Sequence, residues 1–105
     1  SGHVGTELKV NGLVLNNGNY EVRRGRTDIK LSHKEFALLE YLMHHPGQVI
    51  TKDMIINHVW DEDADILPNT VEVYIGYLRN KIDRPFPKEK PLLQTLRGFG
   101  YKLGE

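Results

Sequence analysis

The chain has 105 residues, and its 14 basic residues balance its 14 acidic ones, so its formal net charge is zero. This length predicts one domain, the absence of cysteine excludes disulfides and thiolate metal sites, and the zero charge argues against a uniformly basic nucleic-acid surface. No apolar run approaches the roughly 20 residues that a membrane helix needs. The charge is uneven, however: residues 1–68 hold 7 basic and 10 acidic residues, whereas residues 69–105 hold 7 basic and 4 acidic. This asymmetry indicates an oriented binding surface.

The N-terminal third of the chain predicts a small antiparallel sheet. Ser1-Gly2-His3 is typical of a cloning remnant, so we interpret residues 1–7 as a tag or linker stub and residues 8–105 as the domain. Short runs of alternating polarity follow, and the first two are joined by Asn11-Gly12, a strong two-residue hairpin signal. Two further runs lie on either side of Gly25. We therefore expect four short strands.

Cap residues predict two helices in the middle of the chain. Ser32 and Glu35 form an S-x-x-E capping box in front of an apolar stripe at helical spacing, and a Pro-Gly pair ends that helix. Thr51 is suited to cap a second helix that runs from Lys52 to about Trp60. The inner face of this second helix is expected to consist of Met54, Ile55, His58 and Val59.

A third helix is predicted over residues 70–83. We interpret Asn69 as its N-cap and Glu72 as the reciprocal capping partner. Its inner stripe, at steps of four, three and four residues, consists of Val71, Ile75, Leu78 and Ile82. A proline-containing loop follows, and residues 92–103 form a predicted hairpin that turns through Gly98-Phe99-Gly100.

The third helix has a second patterned face. The same steps recur there in Thr70, Tyr74, Tyr77 and Lys81. Tyrosines can cover the rim of a core with their hydroxyls in water, but this combination, followed by a hairpin that carries Arg97, favours a contact surface. A helix fits the major groove of DNA, and a basic hairpin beside it can reach the backbone or minor groove. This order of elements predicts a winged helix-turn-helix, with the third helix as its recognition helix.

Five segments, taken together and in this order, closely resemble the C-terminal effector domain of the OmpR/PhoB family of bacterial two-component response regulators. The segments are LSHKEFALL (31–39), PGQVIT (46–51), HVW (58–60), NTVEVYIGYLRNKI (69–82) and TLRGFGY (95–101). The resemblance runs from about Leu8 to Leu103. It implies an α+β fold: a winged helix-turn-helix with an N-terminal four-stranded antiparallel sheet, three helices and a C-terminal β-hairpin wing.

The resemblance also implies a function and partners. Members of the family bind double-stranded DNA sequence-specifically and regulate transcription in the bacterial cytoplasm. They bind direct repeats as head-to-tail dimers, under the control of an N-terminal receiver domain that is phosphorylated. The loop between the second and third helices contacts RNA polymerase in the family. Here that loop contains Asp61, Glu62, Asp63 and Asp65.

By position, the resemblance assigns DNA-binding roles along the third helix and the wing. It implies major-groove contacts on the helix, a minor-groove contact for Arg97, and phosphate-side contacts from the second helix and the strands of the wing. Many members carry arginine or histidine where this chain has Asn69, Tyr74, Gly76 and Tyr77, so we expect fewer charged contacts here. The predicted DNA-binding residues are Lys52, Trp60, Asn69, Thr70, Val73, Tyr74, Tyr77, Arg79, Lys81, Thr95, Arg97 and Tyr101.

Other site chemistries have weaker support in the sequence. The acidic loop matches several ligand positions of an EF-hand, but Ile66 stands where that loop needs glycine. The histidines lack the spacing of a metal site, Gly98-Phe99-Gly100 lacks the third glycine of a dinucleotide fingerprint, and no catalytic arrangement is evident. We therefore expect no metal, cofactor or enzymatic activity. One alternative stays open, a winged-helix protein-interaction module, because tyrosines also suit protein interfaces.

Overall fold

A computed structural model describes residues 7–60, 66–67 and 69–104, and within them the elements follow the predicted order. Most of the predicted linker stub, residues 1–6, and the acidic residues 61–65 lie outside the described residues. The elements are β1 (Glu7–Val10), β2 (Leu13–Asn16), β3 (Glu21–Arg24), β4 (Thr27–Ile29), α1 (His33–Met43), α2 (Lys52–Val59), α3 (Thr70–Ile82), β5 (Leu93–Leu96) and β6 (Gly100–Leu103).

The four N-terminal strands form one antiparallel sheet in the order β1-β2-β3-β4, as predicted. Asn11 and Gly12 connect β1 to β2 with φ angles of 47° and 88°, which is the left-handed conformation that a tight hairpin turn needs at both central residues. Leu15 of β2 lies opposite Val22 of β3, and both side chains are buried. The sheet thus turns one apolar face towards the helices.

Local hydrogen bonds set the start of the first two helices. The Ser32 hydroxyl accepts a bond from the Glu35 amide at 3.3 Å, and the Glu35 carboxylate accepts one from the Ser32 amide at 2.8 Å, so the predicted capping box of α1 is confirmed. The Thr51 hydroxyl likewise accepts a bond from the Met54 amide at 3.1 Å at the start of α2. Both caps depend on side chains within three residues of the amides that they satisfy.

Two local predictions about the helices are wrong. Asn69 makes no side-chain cap bond at the start of α3, and Glu72 forms an ion pair with Lys52 of α2 instead of turning back to its own helix. On α2, Met54 and His58 are exposed rather than inward-facing. The His58 ring stacks on Tyr41 of α1, with ring centroids 4.1 Å apart.

The hydrophobic core lies between α1, α3 and the two sheets. Leu38, Leu39 and Leu42 of α1 are fully buried, and α1 packs against α2, α3, β1 and β6. The predicted inner stripe of α3 is confirmed, since Val71, Ile75, Leu78 and Ile82 are all buried. In the part of the chain that the structure describes, no helix is long and apolar enough to cross a membrane.

A buried ion pair ties the N-terminal sheet to the far end of α3. Arg24 of β3 donates to Asp83 Oδ1 at 3.0 Å, to the Ile82 carbonyl at 2.5 Å and to the Lys90 carbonyl at 2.9 Å. Asp83, the C-cap of α3, also accepts bonds from the amides of residues 92 and 93 at 2.9 and 3.0 Å. One carboxylate thus holds the sheet, the end of α3 and the beginning of the wing together.

Candidate nucleic-acid interface

The side of α3 that faces away from the core is exposed and uncharged. Its buried stripe occupies one side of the helix, and the opposite side forms what we call the outer face: Asn69, Val73, Gly76, Tyr77 and Asn80. Val73 is 40% and Tyr77 46% exposed. A helix that only packed on a core would carry charged side chains here, so the outer face is suited to contact another molecule.

Three aromatic rings in a row support one edge of this face. The Trp60 ring meets Tyr74 edge-on at a centroid distance of 5.1 Å, and Tyr74 meets Tyr77 at 5.3 Å. Trp60 is buried and Tyr74 is half-buried against the core, whereas Tyr77 projects outwards. The two predicted contact tyrosines therefore differ in their surroundings, because Tyr74 holds the ring of Tyr77 in position while itself packing on the protein.

The opposite edge of the outer face meets α2 and the wing through polar side chains. Lys52 at the start of α2 pairs with Glu72 of α3, and Arg79 of α3 donates to the Thr95 hydroxyl on β5. These bonds link α2, α3 and the wing at one place. The hydrogen bond with Glu72 raises the pKa of the exposed Lys52 amine, so Lys52 stays a cation at any physiological pH.

A cleft of about 290 Å³, which we call the wing cleft, lies between the start of α2 and the wing. Two cations, Lys52 and Arg97, line it, together with the hydroxyl-bearing residues Thr95 and Tyr101. Its remaining lining residues are Leu96, Gly98, Phe99 and Gly100. The structure therefore brings four predicted DNA-binding residues to one concave surface, and that surface is suited to an anion such as a phosphate.

Tyr101 is placed in the wing cleft by a backbone bridge. Its amide donates to the Ile50 carbonyl at 2.9 Å, and its carbonyl accepts from the Ile50 amide at 2.7 Å. Burial raises the pKa of the Tyr101 phenol, and the nearby Glu72 carboxylate adds to the effect. The hydroxyl therefore stays protonated at neutral pH and can act as a hydrogen-bond donor.

Lys81, which the sequence assigns to the contact surface, is engaged by α1. Its Nζ donates to Glu35 Oε1 at 2.6 Å, and the Glu35 side chain is only 6% exposed. Burial opposes ionisation of Glu35, but the hydrogen bonds from Lys81 and Ser32 outweigh it and lower the pKa of the carboxyl. Much of the charge of Lys81 is thus neutralised within the protein.

The predicted residues therefore fall into three groups. The wing cleft holds Lys52, Thr95, Arg97 and Tyr101, with Arg79 bonded to its edge. The second group, which lies on the outer face of α3 or borders it, comprises Asn69, Thr70, Val73 and Tyr77. The third packs on the protein and comprises Trp60, Tyr74 and Lys81. The predicted polymerase loop (Asp61, Glu62, Asp63, Asp65) lies outside the described residues, and so do the aspartates of the weaker EF-hand interpretation.

Two exposed residues of this surface are not among the predicted DNA-binding residues. Asn80 belongs to the outer face, one position beyond the basic Arg79. Phe99 is 72% exposed at the turn of the wing, a segment that the sequence predicts only as a glycine-flanked turn. Helical spacing relative to Ile75 and Leu78 could have pointed to Asn80, whereas the exposure of Phe99 has no signal in the sequence.

A family model described as "Transcriptional regulatory protein, C terminal" matches residues 25–103, from the β3–β4 turn to the last strand of the wing. The chain belongs to the OmpR/PhoB family of response-regulator effector domains. As an OmpR/PhoB effector domain, it is a DNA-binding domain for transcriptional regulation.

Relatives and solved structures agree with this assignment to the OmpR/PhoB family. The chain is 46% identical over 96 residues to transcriptional regulatory protein TcrA of Mycobacterium tuberculosis and 39% identical over 98 residues to CusR of Escherichia coli. These matches cover 91% and 93% of this chain but only 37% and 42% of the relatives, so the chain spans about two fifths of their length.

Structural neighbours include the DNA-binding domain of CpxR from E. coli, at a TM-score of 0.80 and 32% identity over 95% of this chain and 97% of that one. The DNA-binding domain of RstA from Klebsiella pneumoniae, solved in complex with the RstA box, has a TM-score of 0.80 and 26% identity over 94% of this chain and 97% of that one. The α+β winged-helix fold is therefore confirmed.

Proposed function

We propose that this chain binds double-stranded DNA sequence-specifically as the output domain of a two-component response regulator, with α3 in the major groove and the wing near the minor groove. The observation that carries the proposal is the pairing of the uncharged outer face of α3 with the cationic wing cleft beside it. Neutral donors, acceptors and apolar groups can read base edges, and cations can hold the phosphates beside them. The structure of RstA with its DNA box supports the same use of this fold.

The outer face offers chemistry suited to base edges. Asn69 can pair with the donor and acceptor of adenine, and Val73 can contact the methyl group of thymine. Tyr77 adds a hydroxyl on a ring that Tyr74 holds in place. With no cation on this face, we infer that discrimination depends on shape and hydrogen bonding, and that the neighbouring cations supply most of the affinity.

The wing cleft offers a phosphate site. Lys52 and Arg97 supply charge, and the Thr95 and Tyr101 hydroxyls supply neutral donors. Because Lys52 is paired with Glu72 in the free protein, a phosphate would have to compete with that carboxylate. We therefore infer that Arg97, at the exposed turn, contributes more to the affinity than Lys52 does.

The remaining partners follow from membership of the family. We propose that the chain binds direct repeats as a head-to-tail dimer, that a receiver domain controls it in the whole protein, and that it acts on DNA in the bacterial cytoplasm. A single domain with so few cations on α3 should bind weakly and depend on its tandem neighbour. We further propose that Asp61, Glu62, Asp63 and Asp65 contact RNA polymerase.

Salt dependence tests the DNA-binding proposal. A fluorescent duplex obtained by binding-site selection is titrated at several salt concentrations, and log K should fall linearly with log salt, by about 0.9 per phosphate neutralised. Arg97→Ala should weaken binding and reduce that slope by about one, whereas Arg26→Ala, at the exposed β3–β4 turn, serves as the matched control. Absence of binding, or binding without salt dependence, would instead support a protein-interaction module.

The polymerase contact needs a separate experiment. Replacing Asp61, Asp63 and Asp65 with asparagine should leave the affinity for the selected duplex unchanged and lower activated transcription in a reconstituted assay. A variant that loses DNA affinity would contradict the assignment of this loop to RNA polymerase.

A further inference from the structure

Phe99 presents an apolar ring to solvent at the tip of the wing. It is 72% exposed, more than any other large hydrophobic residue that the structure describes. Tyr20, at 70%, is nearly as exposed but packs edge-on against Phe36 at 5.2 Å, whereas Phe99 belongs to no ring pair of the described residues. Packing within the described part of the domain therefore does not explain an aromatic side chain at this position.

The wing holds this ring on a firm base. Gly100 follows Phe99 with a φ of 153°, and a Cβ added to Gly100 would lie 2.2 Å from the Ile50 carbonyl oxygen. The two bonds between Ile50 and Tyr101 hold the same strand against the connection that follows α1. These contacts hold the wing against the rest of the domain immediately next to Phe99.

The same turn carries a cation. Arg97 and Phe99 lie on either side of Gly98, and all three residues line the wing cleft. Proteins that deform DNA from the minor groove combine a basic side chain, which the negative potential of the groove attracts, with an apolar wedge that enters between base pairs. The tip of this wing holds both groups within three residues.

We propose that Phe99 is a minor-groove wedge: its ring enters a base-pair step beside Arg97 and partly unstacks it. The inference rests on the proposed DNA binding and adds a specificity determinant to it. Pyrimidine–purine steps unstack most easily, so the ring selects such a step at one fixed position of the site. The duplex bends towards the major groove at that step.

Two measurements on one duplex test the wedge. The duplex is the one selected by the wild-type chain, with 2-aminopurine in place of the adenine at the candidate step, and its fluorescence rises when that base unstacks. The proposal expects a rise with the wild-type chain and none with Phe99→Ala. Phe99→Ala should also weaken binding roughly tenfold, in the range of base–aromatic contacts, while Phe99→Leu keeps an apolar wedge and retains part of both effects.

Tyr20→Ala is the matched control, because it removes an equally exposed aromatic ring that lines a different surface with Leu31, His33 and Phe36. It should change neither the affinity nor the fluorescence. Binding-site selection with Phe99→Ala should return a motif without the pyrimidine–purine preference at that position. An unchanged thermal midpoint for Phe99→Ala shows that the variant is folded.

The outcomes separate this inference from the proposed function. If the wild-type chain binds no duplex, both are overturned. If it binds and Phe99→Ala binds equally well, or binds less tightly with an unchanged 2-aminopurine signal, the wedge alone is overturned. If Phe99→Ala abolishes a DNA-free dimer in sedimentation and leaves the unstacking signal intact, Phe99 is a protein contact and the wedge is overturned.

Discussion

The Glu35 carboxylate of α1 accepts one hydrogen bond from Ser32, in the cap of its own helix, and one from Lys81 of α3. Its carboxylate caps the beginning of its own helix by accepting from the Ser32 amide at 2.8 Å, and it holds Lys81 of α3 at 2.6 Å. One buried side chain thus joins the cap of α1 to the orientation of α3. Loss of the Glu35 charge should therefore lower the free energy of unfolding.

The stability that Glu35 provides should depend on pH. The pKa of Glu35 is lower in the folded chain than in the unfolded chain, where it is about 4.3. The ionised carboxylate therefore stabilises the fold fully above that value, and this contribution is lost as the pH falls through the lower folded value. We expect Glu35→Gln to cost about 1 kcal/mol of unfolding free energy at pH 7 and progressively less as the pH falls below the unfolded value of about 4.3.

Urea denaturation at each pH measures this difference. Glu89→Gln, which removes one negative charge from an exposed position in the loop before the wing, controls for the change in net charge. A difference between wild type and Glu35→Gln that grew as the pH fell would contradict the role assigned to the pair with Lys81.

Removal of one partner of the Arg24–Asp83 ion pair should lower the free energy of unfolding more than Glu35→Gln does. Both side chains are buried, at 5% and 9% exposure, so removing one partner leaves the other charged in a poorly solvated place. Arg24→Met should cost about 3–5 kcal/mol, which is a large part of the total stability of a domain this size. Asp83→Asn should also be destabilising, since its one amide oxygen replaces only one of the two oxygens that accept from the wing amides, and its NH2 group would face a donor.

Thermal and urea unfolding of both single variants and of the double variant measure the coupling. The double variant should be more stable than the sum of the two single losses predicts, because the pair acts as one unit. Arg23→Met is the matched control, since Arg23 is the neighbouring, exposed arginine on β3. Equal losses for Arg23→Met and Arg24→Met would contradict the role of the buried pair.

Elements that depend on neighbouring residues could be predicted from the sequence. The Asn11-Gly12 turn and the Ser32 and Thr51 caps each involve residues within three positions. The local order of residue types is therefore enough to predict them. The cap at Asn69 was predicted on the same grounds and is wrong: the Asn69 backbone, at φ −91° and ψ 6°, is not in the extended conformation of an N-cap, and Glu72 pairs with Lys52, 20 positions earlier. The residues around Asn69 do not indicate that Glu72 has a distant partner such as Lys52.

In the candidate site, too, the local helical pattern could be predicted, whereas contacts between distant segments could not. Helical periodicity predicted α3 and its buried stripe, but it could not show that Tyr74 packs on Trp60 or that Lys81 bonds to Glu35. Both contacts join segments at least 14 residues apart, and they depend on how the helices are rotated against each other. The Arg24–Asp83 link, across 59 positions, could not be predicted for the same reason.

The two tyrosines of α3 should therefore differ when each is replaced. Tyr77→Ala removes a ring that is 46% exposed, so the thermal midpoint should stay near wild type while base preference changes at a confined set of positions. Tyr74→Ala removes the ring packed between Trp60 and Tyr77 and should cost about 1–3 kcal/mol of stability. Binding-site selection and thermal unfolding measure the two effects, and an unchanged motif for Tyr77→Ala would mean that Tyr77 reads no base.

Replacing Gly76 with alanine should stabilise the fold and weaken DNA binding. A Cβ added at Gly76 would meet no atom within 4 Å, so no close contact within the described residues requires a glycine there. In the interior of a helix, alanine is favoured over glycine by about 1 kcal/mol, and Gly76→Ala should therefore raise the thermal midpoint by about 4–8 °C.

The residue lies on the outer face between Val73 and Asn80, where a missing side chain lets DNA approach the helix backbone, so the same substitution should weaken binding to the selected duplex. Asn57→Ala, at an exposed position of α2, improves helix propensity without changing the outer face and tests whether stabilisation by itself changes affinity. If Gly76→Ala were more stable and bound DNA as tightly as the wild type, the glycine would have no role in the approach of DNA.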